Sequence, residues 1–463
     1  MRPPRLVAAA DALTLACAAA AILLALFGAY RDVLGGLVIS LRWMHFAFAA
    51  VGVALVRHLV SSKPTIIDVV RGYAARPTAR PALRDAALAF STRPAVLFIG
   101  LIAVSAIGVP PASIEGIGRD PLTTLPARFD TGWYAGIADE GYDWQHRFDR
   151  QQNLAFFPAY PLFMRAVGAA FGAADPTLAR ERRIIRYAWA GLFISLVAFF
   201  GAAWYFARLA RELLDDDRAT AALLLLAAYP FALFYSAAYT ESLFLLSALG
   251  AWYHFRHAAW APAAVWGCVA GLTRPNGFFL CVPLGLLALG MRDAGARQTP
   301  RGLVPLVVAA APAVGMLLFT VYVHQLTDIW FAWARMHAAW GRSFSAEGVA
   351  LAPVGSAAGL LQYAAAHPFQ TLNALGLAFA LALIWPVWRT LGAPWTAFII
   401  VNIVPPLAAG GVLSMGRLTS TLFPLFLALA AVMTPRGAAG WIAVFACLQG
   451  LAATLFFTWR ELF

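Results

Sequence analysis

The chain has 463 residues, 62% of them hydrophobic and 12% charged, with a mean hydropathy of +0.73; soluble domains carry about 25% charged residues, so a water-soluble fold is excluded. The net charge of +12 and pI near 10 do not point to nucleic acid, because no basic helix or aromatic-basic cluster stands outside the apolar pattern. Cys17, Cys268, Cys281 and Cys447 lie in apolar stretches without CxxC or Cys/His spacing, which indicates neither a disulfide framework nor a zinc site.

A membrane-spanning helix needs about 20 apolar residues. Stretches of this kind recur at 12–30, 43–60, 88–109, 187–207, 219–236, 239–254, 258–273, 277–290, 303–324, 371–389, 394–412, 418–434 and 438–458, giving about thirteen predicted spans. The first follows Arg2 and Arg5 as a signal peptide would, but no cleavage site follows it, so it is read as a retained helix. The expected fold is an all-α polytopic membrane protein in two parts. Residues 1–87 form a two-helix extension with a basic loop, and residues 88–463 form the main membrane domain.

Arginines fix the expected orientation. The segment 61–87 carries Lys63, Arg71, Arg76, Arg80 and Arg84, while 208–218 and 291–301 carry three arginines each; all three segments fall on one side of the alternating spans, expected to be cytoplasmic. The long interruptions 110–186, with nine of the 22 acidic residues, and 325–370, with Trp330, Trp333 and Trp340, then lie outside. Within the first, Phe156 to Gly172 is apolar but broken by Pro158, Pro161 and Arg165, and is read as an interfacial helix rather than a span. Lys63 is the sole lysine and no Asn-x-Ser/Thr sequon occurs, which together suggest a bacterial chain.

The residues suited to chemistry gather on that outer side. The stretch Arg128-Phe-Asp-Thr-Gly-Trp-Tyr-Ala-Gly-Ile-Ala-Asp-Glu-Gly-Tyr142 puts Asp130 at the start of a short aromatic helix, where it can accept a proton from a hydroxyl or simply cap the helix. Tyr134, Asp139 and Glu140 follow as binding candidates, the last two equally readable as solvated acids. Glu241 stands between two apolar stretches, where a carboxylate is expensive unless paired or facing a wet cavity. Arg274 and Asn276 lie in Gly271-Leu-Thr-Arg-Pro-Asn-Gly277, a broken helix of the kind that lines cavities. A guanidinium there, and Arg417 in Ser414-Met-Gly-Arg417, can grip a phosphate with two hydrogen bonds or snorkel to the interface. His337, among tryptophans, is a weaker candidate.

At these positions the sequence resembles the GPI mannosyltransferase II (PIG-V) family of the GT-C class of membrane glycosyltransferases. The resemblance is carried by Arg128-Phe-Asp130, Ile137-Ala-Asp-x-Gly-Tyr142, Ala155-Phe-Phe-Pro-x-Tyr-Pro-Leu162, Tyr239-Thr-Glu-Ser-Leu-Phe244 and Arg274-Pro-Asn-Gly277, across roughly residues 88–434. It implies a GT-C-like bundle and inverting transfer of mannose from a polyprenyl-phosphate carrier, at the periplasmic face of a bacterial inner membrane, with Asp130 as base. The family usually has tryptophan before this aspartate, and here Phe129 keeps the aromatic character.

An activated lipid-phosphate sugar needs positioning, a base and cations near the leaving group. That set is supplied here by Asp130, Arg274 and Arg417, with Glu241 orienting sugar hydroxyls or an arginine. No organic cofactor is expected, and metal independence is the default, a divalent ion being left open. The acceptor, whether glycan, lipid or protein, is not specified by the sequence. A transporter or flippase of lipid-linked sugars is the alternative, since such proteins also place charge at broken helices, although no two-fold repeat supports it. A structural subunit would leave the intramembrane charges unexplained. If one face holds all these residues, single cysteines at Ser113 and Ala346 react with an impermeant thiol reagent added outside, and one at Thr299 does not. The reverse labelling pattern would overturn this topology.

Overall fold

The protein is described by a computed structural model covering residues 43–60, 79–110, 120, 122–293, 303–342, 362 and 366–460, with parts of 10–41. Most of the predicted 12–30 span, residues 61–78 and 294–302, and the labelling positions Ser113, Thr299 and Ala346 lie outside the described residues. The chain forms two compact units, Met1–Arg80 and Pro81–Phe463. The first is not wholly helical as expected: strands Tyr30–Leu34 and Leu37–Leu41 pair antiparallel, with Val33 opposite Val38. Val33, Val38 and Ile39 are β-branched and suit a pleated strand, and the intervening sequence Gly35-Gly36 has the composition of a two-residue hairpin loop. The Trp43–Val60 helix follows.

The described residues of the second unit are helical apart from turns and loops. Among the described residues, five helices are long and apolar enough to cross a membrane: Arg80–Ile107, Arg180–Leu213, Pro368–Leu391, Ala393–Gly410 and Pro435–Phe457. Two bent pairs bring the number to seven if each is one span, Asp216–Ala228 with Pro230–Ser236 at 78° and Ala311–Thr327 with Ala332–Trp340 at 81°. The chain is therefore a multi-pass membrane protein. The stretches counted as thirteen from hydropathy resolve into these spans and shorter helices cut by breaks. One break precedes Pro275, another lies beside Pro312 and a third precedes Pro424, because proline lacks an N–H and disfavours helix in the residue before it.

Glu241–Arg256 has 16 residues, about 24 Å at 1.5 Å per residue, against a hydrocarbon core about 30 Å thick. All of it except Leu246 and Arg256 is buried, as expected of a helix apolar on every side and enclosed by protein. Ala159–Ala170 has 12 residues and is also too short to cross, in keeping with its reading as a non-spanning helix. The segment 208–218 is largely helical rather than a loop: Arg208 is buried against Trp204 and Tyr253, and Arg211 pairs with Asp85 at 2.6 Å. The sequence boundary at 87/88 falls inside the Ala79–Phe90 helix.

Two devices fix the backbone around the site. The bend at Tyr229-Pro230 exposes carbonyls that hydrocarbon cannot satisfy, and buried polar side chains take them up. Arg93 donates to Ala232 O (2.7 Å) and Ala227 O (2.5 Å), while Gln449 donates to Ala227 O (3.0 Å) and Tyr229 O (2.8 Å). Elsewhere, Gly271 of Trp260–Thr273 and Gly315 of Ala311–Thr327 bring the two helices backbone to backbone, and Gly267 faces the Pro312 ring. A Cβ on Gly271 would sit 1.9 Å from Pro312 O, and one on Gly315 2.2 Å from Cys268 O, the small-xxx-small packing typical of membrane helices.

Arg93→Leu removes a charged donor from two buried carbonyls, so its thermal midpoint in detergent should fall by the equivalent of about 2–3 kcal/mol. An unchanged midpoint would mean that the bend is held without it.

Candidate active site

The Asp130 loop is seated by its neighbours in the sequence. Arg128 is fully buried, and its Nε donates to Phe457 O (2.7 Å) and its Nη1 to Thr124 O (2.6 Å). Phe129 takes a positive φ of 46°, a strained region for a bulky side chain, and its ring packs 4.7 Å from Trp459 and 5.5 Å from Phe456. Asp130 N–H donates to the Tyr239 hydroxyl at 3.0 Å. Asp130 precedes the Thr131–Glu140 helix, yet its side chain makes no capping hydrogen bond. Instead Oδ2 accepts from Arg417 Nη1 at 2.9 Å.

Arg417 lies on the Met415–Ser420 helix, which is held from several sides. Tyr229 OH meets Thr419 Oγ1 at 2.8 Å, Tyr235 OH donates to Ser420 O at 2.6 Å, and Gly416 N–H donates to Asn373 Oδ1 at 2.9 Å. Gly416 is required there, because a Cβ would overlap the Phe231 ring at 2.1 Å. From this position Arg417 reaches a second acid. Its Nε is 3.3 Å from Glu241 Oε1, and Arg274 Nη2 is 3.1 Å from the same oxygen. Glu241 is 0% exposed, so an unpaired charge there would cost several kcal/mol. The guanidiniums approach as ion pairs without hydrogen-bond alignment, and both Glu241 oxygens and Arg274 Nη1 have no aligned partner. Arg274 is extended at φ −154°, ψ 153° between two helical segments, the conformation that the following proline favours.

Four of the residues singled out in the sequence, Asp130, Glu241, Arg274 and Arg417, thus form one connected network. A fifth charge was missed. Arg342 Nη2 donates to Leu413 O at 3.0 Å, four residues before Arg417, and burial, then Arg417 and Arg274, lower its pKa to about 10, with Asp130 acting in the opposite sense, so Arg342 adds to the positive charge around the network. Three guanidiniums against two carboxylates leave a net positive charge. Tyr134 is buried, 5.3 Å from the Tyr160 ring and 6.2 Å from that of Tyr239. Burial, followed by Asp130 and Glu241, raises its pKa, and burial followed by Asp130 does the same for Tyr239; both phenols stay protonated.

The other candidates sit differently. Asn276 donates to Asn402 Oδ1 at 2.8 Å and ties the Arg274 break to the Ala393–Gly410 helix. His337 O accepts from Arg342 N–H at 3.2 Å, and its buried Nε2 has no hydrogen-bond partner. Asp139 and Glu140 lie at the far end of their helix, about 14 Å along the axis from Asp130. Arg183 forks onto Asp139 (2.8 and 3.0 Å) and Arg180 onto Glu140 (2.7 and 3.0 Å), and the Arg180 hydrogen bonds hold Glu140 below its ordinary pKa. Among the described residues no group of three His, Cys, Asp or Glu is placed to hold a metal.

A carboxylate with one oxygen engaged can take up a proton, and the clustered guanidiniums beside it can stabilise an anionic leaving group. Residues 102–287 match the mannosyltransferase (PIG-V) family model. The matched segment includes Asp130, Glu241 and Arg274, and stops before Arg342 and Arg417. No curated protein matches the chain significantly.

If Asp139 serves the fold, Asp139→Asn lowers the thermal midpoint by a few degrees, since a largely buried ion pair is broken, while turnover stays within about twofold of wild type. Lost turnover at an unchanged midpoint would instead bring Asp139 into the site.

Proposed function

We propose that the chain is an inverting mannosyltransferase using polyprenyl-phosphate mannose. The observation that carries this reading is the buried network Asp130–Arg417–Glu241–Arg274, supported by the family match over residues 102–287. The phosphate of the donor takes the surplus positive charge of Arg274, Arg342 and Arg417. Arg274 Nη1, buried without a partner, is a donor ready for it, and a guanidinium binds phosphate through two parallel hydrogen bonds. Asp130 meets Arg417 through Oδ2, leaving Oδ1 for the proton of the acceptor hydroxyl. That hydroxyl attacks C1 as the C1–O bond to phosphate breaks, and the lipid phosphate leaves with the electron pair. Glu241, enclosed between two arginines, is held away from a nucleophile's role, which favours single displacement and inversion.

In this reading the guanidiniums supply the counter-charge to the leaving group, with no organic cofactor. The ion pairs hold Asp130, Glu241, Arg274 and Arg417 together, so the four share one face of the membrane, which this reading takes as the outer one. The arginine-rich, sequon-free sequence favours a bacterial inner membrane with the site facing the periplasm. A lipid-linked-sugar flippase would also gather charge at broken helices; the open carboxylate oxygen and the family match favour transfer.

In reconstituted vesicles, Asp130→Asn should lower turnover by about 10²-fold or more with donor binding nearly intact. Arg274→Lys replaces a fork by a point charge and should weaken use of the donor. Wild-type kinetics in both variants, or movement of labelled mannose lipid without a new product, would overturn transfer at this site.

A further inference from the structure

The start of the Thr131–Glu140 helix departs from the usual relation between an aspartate and the helix it precedes. The first four N–H groups of a helix lack partners within it, and an aspartate at the N-cap ordinarily turns its carboxylate onto one of them. Here carbonyls fill those amides. Thr131 N–H donates to Arg128 O at 3.1 Å, Gly132 N–H to Phe129 O at 3.3 Å, and Trp133 and Tyr134 N–H to Asp130 O at 3.0 and 3.3 Å. Asp130 itself sits at φ −61°, ψ −15°, in the helical region rather than the extended one that a capping residue takes. Its carboxylate makes no cap and pairs with Arg417.

The residue before it permits this. Phe129, at φ 46°, turns the chain so that its own carbonyl and that of Arg128 accept from the helix start. Left-handed backbone is unfavourable for any residue with a Cβ, and most of all for a bulky one, so it persists only where the surroundings over-determine it. Those surroundings are the end of the Pro435–Phe457 helix and the residues just after it. The Phe129 ring lies 5.5 Å from Phe456 and 4.7 Å from Trp459, while Arg128 Nε donates to Phe457 O at 2.7 Å. The seat continues to the ion pair: Phe456 packs 5.6 Å from Tyr239, whose hydroxyl accepts from Asp130 N–H at 3.0 Å and whose ring lies 5.5 Å from the Arg417 guanidinium. Arg417 is approached through the same device. Ser414, before the Met415–Ser420 helix, is at φ 60° and makes no side-chain cap. Left-handed residues other than glycine thus stand just before both members of one ion pair, and such residues cluster at sites of function.

Resting on the reading of Asp130 as the base, we propose that Phe129 and Trp459 are positioning residues for transfer. Seated on Trp459, Phe129 keeps its left-handed turn, and the turn caps the helix with backbone carbonyls. The Asp130 carboxylate then stays clear of the helix amides and turns to Arg417 and the acceptor hydroxyl. Without the seat, Phe129 relaxes to extended backbone and Asp130 becomes an ordinary N-cap. The base is then lost to the helix although every charged residue is still present.

Glycine separates strain from packing, because it takes left-handed backbone freely whereas alanine does not, and neither offers a ring to the seat. With labelled polyprenyl-phosphate mannose and reconstituted protein, Phe129→Ala should lower kcat about tenfold further than Phe129→Gly does, the scale of the left-handed penalty. The donor KM should be unchanged in both. A ring that only fills space predicts a glycine variant no better than the alanine one, since glycine adds freedom to the unfolded chain; that order would overturn the proposal.

A second measurement does not depend on transfer. Asparagine caps a helix as well as aspartate does but cannot form the ion pair with Arg417. Asp130→Asn should therefore lower the thermal midpoint in detergent by a few degrees in the wild-type and Phe129→Gly backgrounds, and leave it unchanged in Phe129→Ala. An equal loss in all three backgrounds would mean that Asp130 meets Arg417 whatever stands before it, and would overturn the proposal. Should Phe129→Ala not fold, Trp459→Ala, which removes the seat and keeps the strained residue, takes its place, and adding Phe129→Gly to it should restore turnover about tenfold. The expected midpoints in a wild-type protein that transfers nothing would keep the positioning of Asp130 and sink the mannosyltransferase reading.

Discussion

A carboxylate at zero exposure, Glu241, sets the terms for the surrounding structure. Removing such a charge from water costs several kcal/mol unless cations meet it, and the sequence offers them only from distant segments. Arg274 comes from a break between two helices and Arg417 from a six-residue helix, and both must reach the same oxygen. Asp130 joins through the second face of Arg417, so the proposed base is positioned by the group that neutralises Glu241. The two acids therefore cannot be treated as independent sites, and removing either is expected to reorient a guanidinium that serves both.

Short and broken helices are what allow this. The Tyr229-Pro230 bend frees backbone groups that lipid cannot satisfy, and Arg93 and Gln449 take them up; after Arg274, a side-chain bond from Asn276 to Asn402 ties the broken segment to a neighbouring helix. The polar groups nearest the site thus fall into two kinds. Some hold backbone and have their hydrogen bonds filled, and others, such as Glu241 Oε2 and Arg274 Nη1, are buried without an aligned partner. The second kind marks where chemistry is expected.

Much of this was legible in the sequence. Hydropathy located most of the helices, charge at breaks in apolar stretches singled out Glu241, Arg274 and Arg417, and an aromatic motif in the long polar segment singled out Asp130, the four residues that the ion pairs bring together. Hydropathy does not report where a proline break divides an apolar run, so it could not separate full spans from the enclosed Glu241–Arg256 helix. Nor could it show that Asp139 and Glu140 are taken by Arg183 and Arg180, because those pairings join residues about 40 positions apart. Arg342 escaped notice because, in sequence, it resembles any polar residue of a loop. Only folding brings it to Leu413, four residues before Arg417. The pairing of Tyr30–Leu34 with Leu37–Leu41 was not among the expectations, although Val33, Val38 and Ile39 are residues that favour strands.

The clamp from Arg128 to Phe457 O and the seat of Phe129 on Trp459 join the loop before Asp130 to the last helix of the unit. Synthesis proceeds from the N-terminus, so the loop waits while more than 300 residues are made before its anchor exists. Arg417 likewise emerges late. The network is therefore assembled only once Arg417 and the Pro435–Phe457 helix have been made, and a chain in which that helix has not entered the bilayer lacks the anchor of the Asp130 loop. Completion of this network is a late event of membrane insertion.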